Sequence, residues 1–230
     1  MKRFNGRHDH LIKLLATFRF RDSYYLVFPW ADGDLLDLWK RNPDPANLKA
    51  RLKWASKQFL ELAEALSLIH GNHSDDEKRP LYGRHGDLKP ENILWFKPPG
   101  SSSLGRLVIS DFGLGRLHRP TDRRPRRLAG TSTYRPPECD MPDARISRAW
   151  DIWSLGCVFL EFTVWMLNGS EAVMREFPAS RTGSLRPTKR QFAENLDRDD
   201  SFFIIQAGGD GMQSEAKLKA SVVEVRITFR

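Results

Sequence analysis

Two acid-bearing turns bracket a short apolar hairpin in the middle of this chain, and no other feature constrains the fold as much. His85-Gly86-Asp87-Leu88-Lys89-Pro90-Glu91-Asn92 leads into Ile93-Leu94-Trp95, and Leu107-Val108-Ile109-Ser110 leads into Asp111-Phe112-Gly113. Short apolar runs bounded by turn residues suit buried strands. If the two runs pair, Asn92 and Asp111 stand at the same end of the hairpin, on one side of a cleft. That end carries a candidate base, Asp87, a cation, Lys89, and two oxygen donors suited to magnesium, Asn92 and Asp111. Moving a phosphoryl group from a nucleotide to a hydroxyl asks a protein for positioning and charge neutralisation rather than covalent chemistry. Taken alone, Asp-Phe-Gly is an ordinary turn, because Gly permits positive φ and Asp caps locally.

Three more blocks give the turns a context. Tyr25-Leu26-Val27-Phe28-Pro29-Trp30-Ala31 lies upstream; Gly130-Thr131-Ser132-Thr133-Tyr134-Arg135-Pro136-Pro137-Glu138 and Asp151-Ile152-Trp153-Ser154-Leu155-Gly156-Cys157 lie downstream. In this order the blocks resemble the eukaryotic protein kinase family of serine/threonine type. The resemblance implies an α+β, protein kinase-like fold, mainly the helical large lobe with a remnant hairpin of the small lobe. It implies ATP and Mg2+ as cofactors, and a nucleotide and a protein substrate as partners. By the same resemblance Asp87 accepts the hydroxyl proton, Lys89 sits against the transferred phosphoryl, and Asn92 and Asp111 hold magnesium. Phe28, Pro29, Trp30 and Ala31 form the adenine hinge, with Phe28 as gatekeeper, and Glu91 and Leu94 complete the nucleotide-binding set. Thr131 and Glu138 belong to the activation segment, and Asp151 braces the catalytic loop backbone.

The chain also departs from that pattern. Pro136 stands where the family's Ala-Pro-Glu has alanine, and Gly86 stands where most members have Arg. That Arg meets a phosphate on the activation segment, so switching by phosphorylation is in question here. The Gly-rich loop, the strand Lys and the helix Glu of a complete kinase are not found in these residues. The expected layout is residues 1–30 as small-lobe remnant and hinge, 31–170 as large lobe, and 171–230 as a divergent or incomplete end. A pseudokinase or scaffold is the non-enzyme alternative. A small-molecule kinase, of the kind that phosphorylates aminoglycosides or choline, shares His-Gly-Asp but not Lys89-Pro90-Glu91 or the later blocks. A two-metal phosphoesterase built on Gly71-Asn72-His73 lacks supporting His and Asp ligands.

Composition narrows the remaining classes. With 230 residues, 40% of them hydrophobic, the chain is long enough to bury a core. Cys139 and Cys157 make no disulfide framework and Met1-Lys2-Arg3-Phe4-Asn5-Gly6 is no signal peptide, so the expected location is intracellular, cytoplasmic or nuclear. The net charge of +8 is concentrated between Asp111 and Glu138, where Arg116, Arg119, Arg123, Arg124, Arg126, Arg127 and Arg135 face one acid, Asp122. That run reads equally as a solvated loop or as an attractor for acidic or phosphorylated groups. No Phe, Trp or Tyr lies between Arg116 and Arg127, which argues against a nucleic-acid stacking platform.

Apolar residues at Leu52, Ala55, Phe59, Leu62, Leu66 and Ile69 predict a helix buried on one side and ending at His70-Gly71. Residues 152–167 predict a core helix, apolar on nearly every face, broken by Ser154, Glu161 and Thr163 and too short to span a bilayer. Asn72 to Pro80 reads as a surface insertion. Gly169 to Val173 and Asp199 to Phe203 suit late helices, whereas Val222 to Phe229 alternates as a strand does.

Overall fold

The computed structural model describes residues 6–43, 48–71, 81–101, 103–111, 116–118, 132–141, 147–182, 200–206 and 214–225. In chain order the elements are β1 (Ala16–Phe20), β2 (Ser23–Val27), β3 (Gly33–Asp34), α1 (Leu35–Arg41), α2 (Leu48–His70), β4 (Tyr82–Arg84), β5 (Ile93–Phe96) and β6 (Arg106–Ile109). They continue with β7 (Arg116–His118), α3 (Ala149–Asn168), α4 (Phe177–Thr182), β8 (Phe203–Gln206), β9 (Glu215–Leu218) and α5 (Ala220–Val223).

The core forms where α2 meets α3. Along α2 the apolar stripe Ala55, Leu62, Ala65, Leu66 and Ile69 is buried, while Leu52, expected on that stripe, is exposed. α3 turns Trp150, Leu155, Val158, Phe162 and Trp165 inward. The Phe162 ring meets Trp165 edge-on at 5.3 Å and Phe59 at 5.1 Å, arrangements that add to simple area burial. Each such side chain contributes roughly 1.5–3 kcal/mol of transfer free energy before entropy is counted. Two expectations for α3 are corrected. Ile152 is 62% exposed, because only part of the helix surface has neighbours. And α3, at 20 residues, is long and apolar enough to cross a membrane by length and composition, although most of its apolar stretch is buried inside the fold.

A three-stranded antiparallel sheet, ordered β3-β5-β6, lies beside this core. The pairing Ile93↔Ile109 closes the predicted hairpin, and the Ser110 amide donates to the Asn92 carbonyl at 2.9 Å one step beyond. The N-terminal segment docks on the outer edge of β6, Ile12 N donating to Ile109 O at 2.9 Å and Ile109 N to His10 O at 2.8 Å. α1 starts with a reciprocal cap in which Asp37 N donates to Asp34 Oδ1 at 2.9 Å and Asp34 N to Asp37 Oδ2 at 3.4 Å. β4 pairs with β7. It passes so close to the end of α2 that a Cβ on Gly83 would lie 2.2 Å from the Ile69 carbonyl oxygen, so Gly is required there.

β1 and β2 pair in register from Ala16↔Val27 to Phe20↔Ser23, and every residue of both strands is exposed. After α3 the chain continues through a wider π-type turn, Ala172–Glu176, into α4, which agrees with a helix near Gly169 to Val173. The other tail expectations are corrected. Phe203 enters the β8–β9 hairpin rather than a helix, and Val222 lies in α5 rather than a strand. Both follow from tertiary packing, since Phe202, Phe203 and Val222 are all buried. Residues 226–229 of the alternating tail, the 72–80 insertion and the arginines from Arg119 to Arg127 lie outside the described residues.

Candidate active site

The turn from His85 to Asn92 is held in shape by one carboxylate. Asp151, fully buried in the first turn of α3, accepts from His85 N and from His70 Nε2 through Oδ2, and from Gly86 N through Oδ1, each at 2.8 Å. A buried carboxylate needs this many donors to offset its lost hydration. Gly86 sits at φ 84°, the left-handed region where glycine carries no Cβ penalty. His70 was not foreseen from sequence; it closes the α2 stripe as one more half-apolar position, with nothing local to mark it as a partner of Asp151.

His85 ties the turn to the far side of the hairpin. Its Nε2 lies 2.7 Å from the Ser110 carbonyl, and its Nδ1 faces the Asp87 amide at 3.3 Å. An amide donates, so Nδ1 accepts and Nε2 carries the proton in a neutral ring. Burial pushes the imidazole below its ordinary value, against the opposing pull of the Ser110 carbonyl and then of Asp151, Asp87 and Asp111. His85 therefore feels the charges of both turns.

Asn92 and Asp87 are in direct contact. Asn92 Nδ2 donates to the Asp87 carbonyl at 2.7 Å and to Asp87 Oδ2 at 3.1 Å, and Lys89 Nζ lies 3.5 Å from that same Oδ2. With its nitrogen engaged on Asp87, Asn92 has its amide oxygen to offer a cation. Asp111 follows Ser110, whose amide and hydroxyl both donate to the Asn92 carbonyl, and its backbone is left-handed at φ 55°. Non-glycine residues in that region are uncommon and are held there by their surroundings. Hard oxygen donors from an amide and carboxylates suit Mg2+.

Around this cluster the other expected residues are distributed unevenly. Phe28, Pro29 and Ala31 are half-buried and Trp30 is 96% exposed. The segment is anchored by Asp32, whose amide donates to the Trp95 carbonyl at 2.9 Å and whose Oδ2 accepts from Lys97 N at 2.7 Å. Leu94 is half-buried between the buried Ile93 and Trp95, on the opposite face of β5, and Glu91 is exposed. Glu138 lies in the 3-10 turn Pro137–Asp140, where Arg135 pairs with Asp140 at 2.9 Å. Phe112, Gly113 and Thr131 fall outside the described residues.

A second network joins Thr133 and Tyr134 to α3, α4 and Asp200. Tyr134 OH donates to Glu161 Oε2 at 2.8 Å, Arg181 Nη2 to Glu161 Oε1 at 3.0 Å, and Thr133 Oγ1 to Asp200 Oδ1 at 2.5 Å. Burial pushes Glu161 up to about 7, opposed by the Arg181 charge and by the Tyr134 hydrogen bond. A groove of about 760 Å³ lies elsewhere, between α2 and α3, lined among others by Leu66, His70 and Ile152. It is open and largely aliphatic and does not include Asp87, Asn92 or Asp111.

The family model for the protein kinase domain matches residues 1–192. Cyclin-dependent kinase-like 4 of Mus musculus is 32% identical over 67% of this chain and 40% of its own length. Cyclin-dependent kinase 2 of Caenorhabditis elegans is 33% identical over 67% of the chain and 38% of its own length. The Aurora/IPL1-related protein kinase 2 of that organism is 34% identical over 68% and 44%. The chain belongs to the protein kinase family. The aligned region spans about two fifths of the curated relatives it matches.

Proposed function

We propose that this chain carries the catalytic large lobe of an ATP-dependent protein kinase that phosphorylates serine or threonine. The observation that carries the proposal is the contact of Asn92 Nδ2 with Asp87 Oδ2 at 3.1 Å, on a turn that Asp151 and His85 fix from below. That contact orients one carboxylate oxygen of Asp87, leaving the other to accept a substrate hydroxyl proton. Lys89, beside Asp87, is placed to neutralise charge on the transferred phosphoryl. Asn92 and Asp111 are the residues to hold Mg2+, which when bound supplies charge neutralisation at the nucleotide phosphates. Phe28 to Ala31, with Leu94 on the outward face of β5, would receive the adenine. The serine/threonine assignment rests on Lys89 and Thr131.

A second reading, a binding module without catalysis, is favoured by one observation: all ten strand residues of the β1–β2 hairpin are exposed. A nucleotide held by the hinge alone has little apolar burial to offset its immobilisation. Orientation accounts for several kcal/mol of a phosphoryl-transfer barrier, at about 1.4 kcal/mol per tenfold in rate. These residues on their own should therefore be slow, far below the roughly 1–100 per second of active kinases.

The test is radiolabelled γ-phosphate transfer by the 230-residue chain to a basic protein substrate, beside Asp87→Ala. Slow labelling of serine or threonine that disappears in Asp87→Ala is the expected result. Nucleotide binding without any Asp87-dependent transfer would favour the binding module, and labelling confined to tyrosine would refute the substrate class.

A further inference from the structure

We propose that His8, His10, Glu61 and Glu64 form a binding site for a divalent transition metal, with Zn2+ as the best match, stapling the N-terminal segment to α2. The cluster lies apart from Asp87, Asn92 and Asp111 and has no part in the chemistry proposed for them.

The four side chains come from two elements. His8 and His10 stand on the segment that docks along β6, and Glu61 and Glu64 lie three positions apart on one face of α2. His8 Nε2 is 3.9 Å from Glu61 Oε2 and 3.8 Å from Glu64 Oε2, and His10 Nε2 is 3.9 Å from Glu61 Oε2. The donor atoms of His8, Glu61 and Glu64 all lie within 4.8 Å of one another. These separations are too long for hydrogen bonds. Four donors about 2.0–2.2 Å from a tetrahedral ion stand roughly 3.3–3.5 Å apart, so His8, Glu61 and Glu64 close on an ion by side-chain rotation, and His10, which lies outside their 4.8 Å group, joins as the fourth donor only with a larger one.

His10 lies against the cluster from the buried side. Its ring is 4% exposed, its Nδ1 has no hydrogen-bond partner, and its Nε2 is turned towards Glu61. Among the described residues, neither Glu61 nor Glu64 has a Lys or Arg within ion-pair distance. Two neutral imidazoles and two carboxylates balance a double positive charge, and a mixed nitrogen and oxygen set suits Zn2+ better than the all-oxygen preference of Mg2+.

Binding has one local cost. His10 N donates to His8 Nδ1 at 3.2 Å, which places the His8 proton on Nε2. Metal ligation by Nε2 requires that proton to leave and Nδ1 to gain one, a tautomer change with no net proton release, and it breaks the 3.2 Å contact. In return the ion would clamp the segment whose His10 carbonyl accepts from Ile109 N, two residues before Asp111.

The experiment titrates ZnCl2 into the full chain by calorimetry, follows thermal unfolding against ZnCl2 concentration, and records the visible spectrum with CoCl2. One equivalent of Zn2+, a rising unfolding midpoint and the intense spectrum of tetrahedral Co2+ are expected. His8→Ala and Glu64→Ala, both near the surface, should each weaken binding by roughly tenfold or more, while circular dichroism without metal stays that of the parent. Failure of the parent chain to bind ZnCl2, or equal binding by both variants, would overturn the site. In the second case the ion sits on other His or Cys residues.

Discussion

Asp151 Oδ1 accepts the Gly86 amide at 2.8 Å across 65 residues of sequence, so the first turn of α3 and the turn from His85 to Asn92 are one structural unit. The same carboxylate holds His70 and His85, and removing it strands three buried donors. Asp151→Ala should destabilise the fold by roughly 3–5 kcal/mol, the range for breaking a buried charged pair. Urea unfolding measures it, and a loss below about 1 kcal/mol would show that water replaces the carboxylate without strain.

Gly86 should resist substitution for a different reason. At φ 84° an alanine pays the left-handed penalty of roughly 1–2 kcal/mol per residue. Gly86→Ala is expected to shift the urea midpoint accordingly with the m-value unchanged. A neutral result would mean the turn relaxes when the amide shifts off Asp151.

Stability should carry a signature of Glu161. Its folded value, about 7, lies above the 4.5 of an ordinary glutamate, so the folded state holds the extra proton between those values. The contribution is fully present below about 4.5 and is lost as pH rises through about 7. His85 runs the other way: burial lowers it, so its contribution is present above 6.5 and lost as pH falls. Comparing the parent with Glu161→Gln isolates the first effect. The parent's advantage should shrink by a few kcal/mol at most between pH 4.5 and 7, and an advantage that grows over that window would place the ionised Glu161–Arg181 pair as the stable form.

Metal and base roles should separate in binding. Asn92→Ala and Asp111→Ala are each expected to weaken magnesium-dependent nucleotide binding by roughly tenfold or more, as lost ligands do, with Asp87→Asn leaving it within a fewfold. Fluorescence titration of a nucleotide analogue with and without MgCl2 decides. Equal losses in all three variants would indicate collapse of the turn rather than distinct roles.

How much of this was legible depends on the range of the signal. The hairpin from Ile93 to Ile109 and the helices α2 and α3 announce themselves by apolar runs and period. Leu52 and Ile152 fit those periods yet are exposed, because a period names a face and not the neighbour that covers it. β4 and β7 are three residues each, too short to carry a pattern. Val222 to Phe229 alternates like a strand, but Val222 is buried by helical packing instead. At the site, Asp87, Asn92 and Asp111 stand out as chemistry in turns. His70, Ser110 and Arg181 act through contacts made only once the chain has folded, and their local sequence is silent.

The ten exposed residues of β1 and β2 have a kinetic consequence. Their ladder extends one step further through Leu15 N to Val27 O at 2.8 Å, and none of its strand residues is buried, so the hairpin can open without disturbing the α2–α3 core. Its amide protons should exchange with solvent long before those of α3, which open only with the whole fold. The ribbon leading to Phe28 to Ala31 is thus expected to open more readily than α3, and under the proposed function a nucleotide arriving there would have to supply the free energy that quiets it.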